Sequence, residues 1–149
     1  MQPLEPERQR QLAKDLFNHV WTLLDREERS AADVDELIHA AHASRYHWGV
    51  VGEPVNLARG EWQCSRVYAV LGRAEPALWH GRRCLDLCDE HGIGDFDLAY
   101  AYEALARGHR VAHQVPEAEA YERLAVEAGA RIADPEDREH FHADLATLR

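Results

Sequence analysis

The chain is short of most features that would assign it quickly. Its three cysteines in 149 residues cannot all pair with one another. Cys84 and Cys88 stand four apart in a helical stretch, a poor arrangement for a disulfide, so reduced, partly buried thiols are expected. No apolar run approaches the roughly 20 residues needed to cross a bilayer. The first ten residues, MQPLEPERQR, lack the apolar stretch of a signal peptide, so a cytoplasmic location is expected, with no membrane partner. Positive charge is outnumbered: 17 Lys and Arg face 27 Asp and Glu, a formal net charge of −10. Phosphate backbones are bound by basic surfaces, which argues against nucleic acid or anionic membrane as the general partner. Isoleucine and threonine are few, and no alternating β-branched run of strand length occurs, so strands are not expected.

Catalytic signatures are equally scarce. HGIGD at 91–95 has neither the preceding strand nor the lysine that a phosphate loop needs. No Ser or Cys sits in a recognisable nucleophile motif, and neither H-E-x-x-H nor a paired C-x-x-C is present. Asp95 and Asp97, flanking Phe96, serve first as charges favourable to a helix N-terminus. A binding protein is expected rather than an enzyme, with no cofactor.

What the chain does contain is Ala, Leu, Glu and Arg, all good helix formers. Breakers divide it into seven helical stretches. QLAKDLFNHVWTLLDRE leads, and Ser30 can cap AADVDELIHAAHASRYHW, which GVVGEP ends. Pro54 opens VNLARGEWQCSRVYAVLG, closed by Gly72, and EPALWHGRRCLDLCDEHG follows. FDLAYAYEALARGHRVAH, then EAEAYERLAVEAG after Pro116, and finally DPEDREHFHADLATL complete the set. The expected fold is all-α.

An offset of 41 brings the chain into register with itself. Trp21 falls on Trp62, Leu16 on Leu57 and Leu98, and Leu23 on Cys64 and Leu105. Leu24, Ser65 and Ala106 share a column, as do Arg66 and Arg107, and Ala77 and Ala118. Ala43, Cys84 and Ala125 meet as small residues, and His39, His80 and Tyr121 as large polar-tipped ones. One amphipathic helix pair cannot bury its apolar face alone, whereas stacked pairs share a continuous core.

The middle unit, WQCSRVYAVLGRAEPAL then HGRRCLDL, resembles a tetratricopeptide repeat. Ser65 takes the small place of its first helix, Tyr68 the aromatic place and Gly72 the turn; Ala77 and Cys84 take the small places of its second helix. The third unit keeps Ala106, Ala118 and Ala125 but has His109 for the aromatic and His113 for the glycine. Trp62 stands one residue later than the signature tryptophan, and no proline closes either unit. The resemblance spans about residues 16–131. Its period exceeds the usual 34, which implies longer helices. It implies a right-handed superhelix of about three antiparallel helix pairs, units about 10–51, 54–92 and 94–131, with a capping helix over 134–149.

In such arrays the first helix of each pair lines the concave, ligand-holding face. The resemblance therefore points to Asn18 and Trp21, to Arg59, Trp62 and Arg66, and to Tyr100, Glu103, Arg107 and Arg110 as the partner-binding residues. Arginine offers a planar fork for carboxylates and tryptophan an apolar platform. The expected partner is a protein or peptide, acidic or bound through its C-terminus. Self-association through the exposed first pair is a further expectation.

The stretch HAAHASRYHW supplies the competing reading. At 100° per residue, Asp35, His39, His42 and Tyr46 project within about 60° of one another. One carboxylate and two imidazoles on one stripe suit a divalent transition metal or a small molecule, with His19 or His80 supplying a further ligand from a facing helix. His80, Cys84 and Cys88 pose the same question, but Cys84 fills the small buried place of the repeat, which favours packing.

Overall fold

The computed structural model describes residues 1–148. These residues form seven α-helices and no strand: α1 (Pro6–Leu24), α2 (Ala31–Val51), α3 (Pro54–Val70), α4 (Ala74–His91), α5 (Asp95–Val111), α6 (Val115–Ala130) and α7 (Pro135–Leu145). Arg149, the last residue of the expected cap, lies outside the described residues.

Local chemistry explains the boundaries. Ser30 and Asp33 form a reciprocal capping box at α2, with bonds of 3.1 and 3.0 Å between each side chain and the other's backbone N–H. Asp134 caps α7 by accepting from Asp137 N at 3.0 Å. Prolines open α1, α3 and α7, where their missing N–H has no helical partner to lose. The second helix runs further than expected, through Gly49, Val50 and Val51. It stops only where Glu53 must turn extended ahead of Pro54. Gly72 sits in the turn between α3 and α4 at φ 73°, and His113, its counterpart 41 residues on, adopts the same left-handed region at φ 58°.

Each helix packs on the next, so neighbours form antiparallel pairs. A second set of close backbone approaches joins alternate helices on one side only. The backbones of α1 and α3, of α3 and α5, and of α5 and α7 approach closely, whereas α2 meets α4, and α4 meets α6, only through long side chains such as His42 with His80 and Arg82 with Tyr121. One buried cluster joins Val20 and Leu23 to Leu37, Cys64 and Val67; a larger one runs from Trp62 through Leu105 to Ile132 and Phe141. Of the small residues aligned by the repeat, Ala77, Cys84, Ala118 and Ala125 are buried, whereas Ala43 is half-buried. Ser65 shows why its place is small and polar: its hydroxyl donates to Ala77 O at 2.7 Å, tying α3 to α4.

α7 docks by a notch. Phe141 is fully buried, and a Cβ added at Gly129 would stand 2.4 Å from its Cε1. Burying such a ring contributes about 2–3 kcal/mol, and any side chain at Gly129 would forfeit much of it.

Candidate functional site

The alternate-helix row carries a line of rings. Trp21 of α1 and Trp62 of α3 lie 5.6 Å apart, Trp62 and Tyr100 of α5 lie 5.3 Å apart, and Tyr100 meets Phe96 at 4.7 Å and Phe141 of α7 at 4.9 Å. Spacings of four residues, Phe17 to Trp21 and Phe96 to Tyr100, place these rings on one face of their helices. They wall a cavity of about 410 Å³ whose remaining lining includes Arg59, Asp97, Asp137, His140 and Asp144. Five helices contribute to it, α4 only through Cys84, and α7 supplies the last three of those residues.

The expected groove residues separate into three groups. Trp21, Arg59, Trp62 and Tyr100 line the cavity, and Arg66 lines the space beside it with Asp25 and Asp144. Glu103 and Arg107 lie behind, in a buried ion network. Asn18 is exposed and outside the cavity, and Arg110 turns away to donate to Glu122 at 2.7 Å.

Each arginine of this face is already engaged by the chain's own carboxylates. Arg59 forks onto Asp97 at 2.8 and 3.1 Å, which with the charge of Asp97 raises its pKa against the opposing effect of burial. Arg66 lies over the Trp62 ring at 5.1 Å and reaches both oxygens of Glu103 at 3.3 Å. Arg107 donates to the same Glu103 at 2.7 Å, and to Asp144 O and Thr147 Oγ1 at 3.2 and 2.7 Å. Glu103 has no exposed surface, and two guanidiniums compensate it. Tyr100 donates to Asp144 Oδ2 at 2.6 Å; burial, and then this bond to a carboxylate, pushes its phenol well up, so it stays a donor. Asp137 makes no side-chain hydrogen bond among the described residues, its backbone N–H alone being used for the α7 cap.

The histidine stripe resolves differently from a four-residue set. His42 Nε2 and Tyr68 Oη are hydrogen-bonded at 2.8 Å, and the His42 and His80 rings lie 5.2 Å apart. His80 Nδ1 donates to buried Glu61 at 2.7 Å, and Arg45 Nε donates to the other Glu61 oxygen at 3.0 Å. Burial pushes the Glu61 carboxyl up, but the His80 hydrogen bond and the charges of His80, Arg45 and Arg83 together bring it below its ordinary value. Burial, then the nearby His80, holds His42 below its ordinary value. Asp35, His39 and Tyr46 are exposed, and His19 bonds Glu36 at 2.7 Å instead of joining them. Among the described residues no three His, Cys, Asp or Glu side chains are grouped to hold a metal ion.

The cysteines are free and buried. Burial pushes the Cys64 thiol up to about 12, and Cys84 rises through its hydrogen bond with Cys88 and its burial. No helix among the described residues is long and apolar enough to cross a membrane.

The cavity residues Phe17, Phe96, Asp97, Asp137, His140 and Asp144 were not among the expected set. The signal for the last three was present: positions 137, 140 and 144 lie on one helical stripe, beside the apolar stripe of Phe141, Leu145 and Leu148. Comparison of the chain with models of known families, with curated proteins and with solved structures finds no match.

Proposed function

We propose that this protein is a tetratricopeptide-like binding module whose alternate-helix row forms the inner face of a short right-handed superhelix. On this reading the aromatic cavity seats one side chain of an extended segment from a protein partner. The observation that carries it is the cavity of about 410 Å³, walled by rings from α1, α3 and α5 and closed at one end by α7. Alternate helices approach closely along one row and meet only through long side chains along the other, and such an array curves toward the closer row. The ion pairs of Arg59, Arg66 and Arg107 hold the row rigid before any ligand arrives, which lowers the ordering cost of binding. The module acts by presenting a preformed surface, not by bond chemistry.

Selection from a random peptide display library, followed by NMR of the indole N–H signals, tests this reading. Enriched peptides should move the Trp21 and Trp62 signals and leave Trp79, on α4, in place. Trp21→Ala should weaken those peptides about tenfold, the usual loss at an aromatic anchor. Peptides that shift Trp79 alone, or a library that enriches nothing, would overturn the reading.

A further inference from the structure

The composition of the cavity deepens that reading, on which this inference rests, to a ligand class. We infer that the seated side chain is a guanidinium, so that the partner segment is anchored by an arginine.

The walls carry the rings of Trp21, Trp62, Phe96 and Tyr100, and aromatic rings attract cations. Carboxylates outnumber the other charged groups around them: Asp97, Asp137 and Asp144 all line the cavity, its one arginine, Arg59, is held by Asp97, and His140 stands 3.7 Å from Asp144 Oδ2. Asp144 gives Oδ2 to Tyr100, while its Oδ1 stands 4.0 Å from Arg66, too far for a hydrogen bond. That oxygen and the Asp137 carboxylate remain able to accept.

The three classes of side chain then fare differently. A carboxylate would meet three aspartates against one engaged arginine and one histidine already beside Asp144. A purely apolar group would strip water from Asp137 and Asp144 without replacing it. A cation satisfies both the rings and the carboxylates. Guanidinium suits the site better than ammonium because it is planar, stacks on rings and presents a fork to carboxylates. The protein already uses this combination beside the cavity, where Arg66 lies over Trp62 with Glu103 compensating it. The net charge of −10 would draw a basic segment toward the face at a distance.

The test uses the whole chain and the display-selected peptides. Arginine should recur at one fixed position, and a citrulline-substituted version of each peptide should bind at least about tenfold more weakly by titration calorimetry. Binding should weaken with added salt. Asp137→Asn and Asp144→Asn should each weaken the arginine peptide while leaving its citrulline version unchanged; far-UV circular dichroism checks that both variants are folded. Lysine or acidic residues at the fixed position, or equal binding of the citrulline peptide, would overturn the guanidinium assignment. If such peptides still moved the Trp21 and Trp62 signals, the groove reading would survive. If nothing moved those signals, both would fall.

Discussion

The second and third helical units contain the same ring stack with its members exchanged. In the second, Tyr68 of α3 stacks on His80 of α4 at 5.8 Å and 8°; in the third, His109 of α5 stacks on Tyr121 of α6 at 5.5 Å and 6°. The positions correspond at the offset of 41, so the repeat preserves two parallel planes between its helices and is indifferent to which helix brings the phenol. What differs is the polar end. Tyr68 bonds His42 of the preceding pair, whereas Tyr121 accepts from Arg82. His80 donates to buried Glu61, whereas His109 donates to Gln114 in its own hairpin turn at 2.7 Å. The second unit therefore rests on a buried carboxylate and a titratable neighbour, the third on a permanent cation near the surface. Equivalent shape does not imply equivalent electrostatics.

The largest break in this parallel should come from Glu61→Ala. It removes the common acceptor of Arg45 and His80 and leaves their polar groups half-buried without it, so urea unfolding should show a loss of about 3–5 kcal/mol. Gln114→Ala, the corresponding cut in the third unit, should cost about 1 kcal/mol in the same assay.

The next effect is on pH dependence. His42 is held below its ordinary 6.5 by burial and by His80, with His39 adding and Glu61 opposing. The unfolded chain therefore takes up this proton first. Its contribution to stability is present above pH 6.5 and is lost as pH falls through the lower folded value. Glu61, held below its ordinary 4.5, adds a second loss in the same direction at lower pH. Chemical unfolding at pH 7.5 and 5.5 should show a smaller drop for His42→Gln than for the parent. An equal drop would remove His42 from the account.

His113→Gly tests the turns. His113 holds the left-handed conformation that Gly72 holds in the other unit. Relief of that strain, less the added freedom of glycine in the unfolded chain, should raise stability by about 0.5–1 kcal/mol. Thermal melting would read it. The smallest effect should be Arg82→Ala, which removes an exposed cation over Tyr121 and should cost below about 1 kcal/mol by urea unfolding, at either pH.

Much of this architecture was legible in the sequence because it is local or periodic. Prolines, Ser30 and Gly72 mark helix ends by their own backbone chemistry, and the offset of 41 found Ala77, Cys84 and Ala118 as small places, which proved buried. The candidate site was legible in part. Register placed Trp21, Trp62 and Tyr100 together, but register says which residues share a face, not what stands opposite. Arg66 and Arg107 were expected to offer themselves to an acidic ligand; they face Glu103, and α7 comes down beside them. Nor does a stripe on one helix choose its partner. His42 turned to Tyr68 and His80, which lie 26 residues and more away along the chain, while Asp35 and His39 stayed in solvent.

The network around Glu103 also bears on how the molecule comes apart. In a linear array the end element has neighbours on one side only and opens at the lowest free energy. Here peeling away α7 would empty the Phe141 notch at Gly129, take Asp144 O and Thr147 from Arg107, and remove the acceptor of Tyr100. Arg107 and Arg66 would then share Glu103 beside a newly wetted edge. Fraying of the last helix is thus coupled to the floor of the aromatic row, and these contacts raise the free energy at which the terminal element opens.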